Sequence, residues 1–169
     1  MQKVTTFLTF KDQAEDALKF YTSVFRNAKA GETQRYGEGA PCPKGMFMTG
    51  SFEIAGQIFF VLNAGQDFGF APGMSLMVDC PTQDEVDELW DSLSEGGSVQ
   101  ACGWLTDKFG VSWQIVPSVL RTVLADKDPR KVEHVMKVMM QMIKLDGTKL
   151  QQAYDAISST KPLKKGSIS

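Results

Sequence analysis

A single histidine, His134, is the whole imidazole supply of this 169-residue chain, so no site built on several histidines is open to it. Cysteine is nearly as scarce. The three cysteines, at positions 42, 80 and 102, form no CxxC pair, and an odd count fits a reduced intracellular protein rather than a disulfide-stapled one. No apolar run approaches the roughly 20 residues a membrane-spanning helix needs. The first residues enter a strand-like stretch directly, without the apolar region of a signal peptide. An excess of one charge sign is missing too: 18 Lys and Arg stand against 20 Asp and Glu, for a net charge of −2. The basic residues are scattered, apart from Lys161, Lys164 and Lys165 near the C-terminus. Such a distribution offers neither a nucleic-acid groove nor a patch for anionic membranes. Together these absences predict a cytoplasmic protein with no nucleic-acid or membrane partner.

What is present is a globular composition, 43% apolar and 22% charged. A chain of this length buries enough surface to fold without metals or disulfides. We expect one domain over residues 1–158 and a disordered tail over 159–169. Residues 3–10 alternate apolar and polar as a strand does. Asp12 is placed to cap a helix that carries Ala14, Ala17, Leu18, Tyr21 and Phe25 on one face. Strands follow at 30–36, 46–54 and 58–65, the last two joined by a tight "AGQ" turn.

The order then starts again. Residues 74–80 read as a strand, and Thr82 with Glu85 forms a capping box for a helix that buries Val86, Leu89, Trp90 and Leu93. Strands at 98–105, with a break near Ala101, and at 111–116 complete the second set. Two modules, 1–65 and 74–116, thus share the order βαβββ while sharing almost no letters. Helices fill 117–158. One of them bears the apolar stripe Val132, Val135, Met136, Met139, Met140 and Ile143, which must be buried on its own domain or on a partner.

Two βαβββ units in one short chain are the layout of the vicinal oxygen chelate superfamily, which includes the glyoxalases. The blocks "FLTFKDQAEDALKFYTSVF", "QIFFVLNAG", "SLMVDCPTQDEVDELWDSL" and "CGWLTDKFGVSWQIVPSVL" resemble its PhnB-like branch, whose members carry the label 3-demethylubiquinone-9 3-methyltransferase. The resemblance implies an α+β fold in which two curved sheets form a cupped mixed sheet, followed here by C-terminal helices. It also implies a site on the hollow face and a homodimer. In metal-dependent relatives, one inward His, Glu or Gln from each of four strands holds a divalent ion.

Carried onto this chain, those four positions fall on Thr5 (or Thr6, one residue on), Asn63, Ser75 and Gln114. All are polar and neutral. Four weak oxygen donors do not repay the dehydration of zinc or iron, so the resemblance implies a cavity without metal or other cofactor. Such groups suit a small polar or aromatic metabolite instead. No glycine-rich strand–loop–helix for S-adenosylmethionine is present. A metal-dependent lyase or dioxygenase, and a non-catalytic dimerisation module, are the competing readings.

Other candidates read more plainly. Asp79 is either a general base or a carboxylate that caps the next helix. Cys102 has no histidine beside it and reads as an inert thiol, and Cys42 reads as an exposed one. Arg35 and Tyr36 flank a Gly/Pro loop where an anion could dock. Glu53 and Gln57 border a turn and face solvent. Trp104 with Phe68 or Phe70 is placed to line a cavity mouth.

Overall fold

A computed structural model describes residues 3–157 of the chain. Its elements run β1 (Thr6–Phe10), α1 (Ala14–Val24), β2 (Lys29–Arg35), β3 (Phe47–Ile54) and β4 (Gln57–Asn63). They continue with β5 (Leu76–Cys80), α2 (Gln83–Ser94), β6 (Ser98–Val99), β7 (Trp104–Thr106) and β8 (Ser112–Pro117), then α3 (Val119–Leu124), α4 (Pro129–Met139) and α5 (Gly147–Asp155). The strands make two four-stranded mixed sheets, ordered β1-β4-β3-β2 and β5-β8-β7-β6. In each, the first strand runs parallel to the last and the other neighbours are antiparallel. The class is α+β, and the βαβββ order repeats in topology as well as in sequence. The tail predicted to be disordered lies outside the described residues.

Each sheet has a helix-covered face and an outer face, fixed by side-chain alternation. In the first sheet Leu8, Phe10, Phe52, Phe59 and Val61 are buried beneath α1. That helix presents Ala14, Ala17, Leu18 and Tyr21 to them, the face expected from its spacing. Close approach is possible because Gly50 has no side chain: a Cβ there would sit 2.9 Å from both Leu18 Cδ1 and Phe47 Cζ. The start of α1 departs from expectation. Its N-cap is Gln13, which makes no side-chain bond, and the Ala14 N–H instead donates to Asn63 Oδ1 at 2.7 Å. Asp12 stands one residue too early to serve. The second module follows the sequence closely: Thr82 Oγ1 accepts from Glu85 N at 3.2 Å, and α2 buries Val86, Leu89, Trp90 and Leu93.

One core serves both modules, and a buried carboxylate joins them. Asp107 Oδ2 accepts from the Tyr21 hydroxyl of module one and from Trp113 Nε1 of module two, each at 2.8 Å. Its Oδ1 accepts from Phe109 N at 2.9 Å and Val111 N at 3.0 Å. Four donors satisfy a charge that would otherwise be very costly to bury. Burial, reinforced by that carboxylate, pushes the Tyr21 phenol well above its ordinary pKa. Around this node Tyr21 and Phe25 lie 5.6 and 5.3 Å from the Trp113 ring.

The C-terminal helices form a second core of Leu120, Val123, Val135, Leu145, Leu150 and Ala153. Pro129 occupies the first turn of α4 after the Asp128 cap, where its missing N–H costs nothing. The predicted stripe outruns that helix, which ends at Met139, and is only partly used: Val135 is buried, while Met136 on α4 and Met140 and Ile143 beyond it are exposed. The unit is fastened to module two by backbone bonds from Cys102 N to Met142 O and from Gly103 N to Ile143 O, both 2.8 Å. Gln83 adds a two-way clamp, donating to Leu145 O and accepting from Gly147 N. Among the described residues no helix is long and apolar enough to cross a membrane.

Candidate functional site

Strand β8 alternates cleanly. Trp113 and Ile115 face the core and Gln114 faces outward, level with Met77 on β5 and Trp104 on β7. Gln114 Nε2 donates to Ser75 Oγ at 2.8 Å. Both side chains are half-buried, and among the described residues no donor sits on Gln114 Oε1. The outer face of the second sheet therefore presents a hydroxyl and an amide within a frame of Met77, Trp104 and Thr106.

The parallel strand pairs of the two sheets match over five positions each. Phe10 opposite Asn63 ends the parallel pair in the first sheet, as Cys80 opposite Pro117 does in the second. Counting back from these ends, Phe60 occupies the place of Gln114, Phe7 that of Met77, and Thr5 that of Ser75. Phe7 and Phe60 stack at 6.1 Å on the outer face, where Phe7 is 54% exposed. Thr5, half-buried, immediately precedes β1. Thr6, the alternative at that position, instead accepts from Gln57 Nε2 at 3.2 Å.

Of the four residues singled out in the sequence, Ser75 and Gln114 are brought into contact. Asn63 is not with them. It is 1% exposed on the helix-covered face, where Oδ1 caps α1 and Nδ2 donates to Phe47 O at 3.1 Å. Its amide is thus committed to holding module one together. The donor set on the outer faces is neutral, with a phenyl ring at the fourth place. Among the described residues no group of three or more His, Cys, Asp or Glu could hold a metal ion. The residues present do not fit a tightly held divalent cation.

A cavity lies beside this face, between the modules. It measures about 590 Å³, and its lining includes Thr6, Phe25, Phe59, Ser75, Leu89 and Trp113. Ser75 stands on its rim as well as beside Gln114. Asp79 also borders it, paired with Arg121 at 3.5 Å. The α2 cap is Thr82, so Asp79 does not cap that helix.

The remaining candidates are accounted for by local contacts. Arg35 reaches both Glu15 oxygens, at 3.0 and 3.1 Å, and Gly45 O at 3.2 Å. The Tyr36 hydroxyl donates to Asn63 O at 2.6 Å, and burial, then the nearby Cys42 thiol, raises its pKa. Cys42, expected to be exposed, is buried because its loop folds back against Gly65. Cys102 is half-buried with φ 62 and points its thiol at Met139 O. Phe70 is drawn into the core against Phe10, at 5.3 Å, leaving Phe68 exposed and Trp104 on the outer face. Asp107 was invisible in the sequence, since "TDKFG" reads as an ordinary turn and its partner Tyr21 is 86 residues away.

Comparison with known proteins agrees with this architecture. The family model described as 3-demethylubiquinone-9 3-methyltransferase matches residues 2–116. The chain is similar to the PhnB protein from Bacillus cereus, at 37% identity and TM-score 0.65, over 69% of this chain and 99% of that one. It is also similar to protein PA1353 from Pseudomonas aeruginosa, at 20% identity and TM-score 0.58, over 69% of this chain and 98% of the other. A glyoxalase/bleomycin resistance protein from Albidiferax ferrireducens matches at 14% identity and TM-score 0.44, over 66% of this chain and 95% of the other. Among curated proteins there is no match.

Proposed function

The chain belongs to the PhnB-like, 3-demethylubiquinone-9 3-methyltransferase family of the glyoxalase and vicinal oxygen chelate superfamily, and from that premise we propose that it binds a small polar or aromatic metabolite without a metal. The carrying observation is the Gln114–Ser75 pair on an outer sheet face, with Trp104 and Met77 beside it. A half-buried amide with an acceptor to spare orients a polar ligand group, and the thioether and indole supply apolar contact. Thr5, at the place equivalent to Ser75, is the matching polar residue of the first sheet; Asn63 has no part in the site.

The family's name speaks of methyl transfer, yet this chain has no nucleotide-type turn for S-adenosylmethionine. Its strand-to-helix junctions, Lys11-Asp12-Gln13 after β1 and Pro81-Thr82 after β5, contain no glycine. No step through that cofactor, or through a metal, is assigned.

Exposed apolar side chains on both outer faces, Phe7 and Phe60 on one and Met77 on the other, support a homodimer that covers them. Sedimentation at micromolar concentration should give twice the 18.7 kDa mass of one chain, and a monomer would count against this assembly. Three free cysteines support a reducing cytoplasmic setting. Burial pushes the Cys80 thiol up to about 12, far from reactive thiolate chemistry.

Gln114→Leu tests the site. The substitution is close in size and removes donor and acceptor together, so affinity for a metabolite found by thermal-shift screening should fall by about 1–3 kcal/mol. The melting temperature of the ligand-free protein should hardly move, because the lost bonds are to water and to a serine that water can satisfy. A clear loss of stability with unchanged binding would end this reading.

A further inference from the structure

We propose that the 590 Å³ cleft between the modules is a binding site in its own right, shaped for a small organic cation with an aromatic body. Its volume lies within the range of small-molecule pockets. Its floor is apolar and rigid: Phe25, Phe59, Leu89 and Trp113 are all nearly buried. Phe25 and Trp113 lie 5.3 Å apart, fixed by the core behind them, so the floor needs no rearrangement to receive a ring.

The charge around the cleft selects the ligand. Asp79, Glu85 and Glu88 border it, against one cation, Arg26. Arg26 is spent on Glu88, whose two oxygens it holds at 2.6 Å, and Arg121 lies 3.5 Å from Asp79. Glu85, half-buried in the first turn of α2, has no cationic partner among the described residues. An anionic ligand would meet a net negative rim, whereas an ammonium group above the aromatic floor would find Glu85 as its counter-ion. Neutral hydrogen-bonding groups, Thr6, Gln57 and Ser75, complete the rim. The site extends away from the outer-face pair, since its floor is made of Phe25 and Phe59 from module one with Leu89 and Trp113 from module two, and Glu85 comes from α2. Ser75 and Met77 border both.

The test uses the full chain and a matched pair of probes, 2-phenylethylammonium and 3-phenylpropionate, which differ mainly in the sign of the charge. Binding at millimolar concentration is read by tryptophan fluorescence and by shifts of backbone amide resonances. The ammonium should bind and perturb Trp113 and α2, and the carboxylate should not. Glu85→Gln keeps the Thr82 cap, which uses only the backbone N–H of residue 85, and should weaken ammonium binding about fivefold, as expected for loss of one partly exposed ion pair. Val24→Trp should fill the cleft and abolish binding, with circular dichroism showing the fold retained. Gln114→Leu, which touches the cleft only through Ser75, should weaken ammonium binding less than Glu85→Gln does. Equal or tighter binding of the carboxylate, no binding of either probe, or binding sensitive to Gln114→Leu but not to Glu85→Gln would each overturn the proposal.

Discussion

Replacing Asp107 by asparagine should be among the most damaging near-isosteric changes available to this chain. The carboxylate receives four hydrogen bonds, two at each oxygen. An amide offers one acceptor oxygen and one NH2 group. If its oxygen keeps the backbone N–H groups of Phe109 and Val111, the NH2 faces Tyr21 and Trp113. The tyrosine hydroxyl rotates and becomes the acceptor, but the indole N–H is a donor only and is left unpaired. An orphaned buried donor costs about 1–3 kcal/mol, and the remaining bonds lose their charge assistance. Relief from burying an ion offsets part of this, so the net cost is about 2–4 kcal/mol. For a chain of this size that lowers the melting temperature by roughly 6–12 °C.

Urea unfolding followed by far-ultraviolet circular dichroism measures it directly. Tyr21→Phe, which leaves the carboxylate three donors, should cost about 1–2 kcal/mol alone and clearly less in the Asp107→Asn background, because the two share one network. If Asp107→Asn costs under about 0.5 kcal/mol, or the two changes simply add, the node does not hold the modules together as described.

Two further changes test the rest of the fold. Asn63→Ala should destabilise by about 1–3 kcal/mol, since it orphans the Ala14 N–H and a Phe47 carbonyl, whereas Asp12→Ala should fall within about 0.5 kcal/mol of wild type in the same unfolding assay. The reverse ranking would restore Asp12 as the cap. Hydrogen bonds from Lys144 and then Gln83 hold the Asp87 carboxyl below its ordinary pKa. Its folded value is therefore lower than its unfolded one, so its stabilisation is present above the unfolded pKa and is lost as pH falls through the folded value. Amide protection factors in α5, taken relative to the intrinsic exchange rate at each pH, should fall as the protein is acidified below that unfolded pKa, and Asp87→Asn should blunt the effect.

How well the sequence could be read depended on alternation. In β8 the pattern Ser-Trp-Gln-Ile-Val separates polar from apolar positions, so the outward face of Gln114 was legible. In β4 the run Ile58-Phe59-Phe60-Val61-Leu62 is apolar at every position and hides which parity faces the helix. Read from the sequence, Asn63 falls on the site side, whereas in the structure it shares parity with buried Phe59 and Val61. The cap of α1 is hidden for a related reason: Asp12 is near in sequence, but the acceptor that reaches Ala14 N comes from 49 residues later. Both helix faces were readable because 3.6-residue periodicity is a local property. Partners fixed by tertiary approach, such as Tyr21 with Asp107, leave no local trace.

Synthesis of the chain meets the same distance as a delay. Module one closes on itself within residues 6–63, yet the carboxylate that receives its Tyr21 hydroxyl lies 86 residues downstream. From the end of module one at Asn63 to Asp107 is 44 residues, which at ordinary translation rates take roughly 2 to 9 s to synthesise. Throughout that interval, Tyr21 and Phe25 present an aromatic surface whose cover, Trp113, is not yet made. The nascent first module is thus the stage at which this protein is most exposed to aggregation and to chaperone capture.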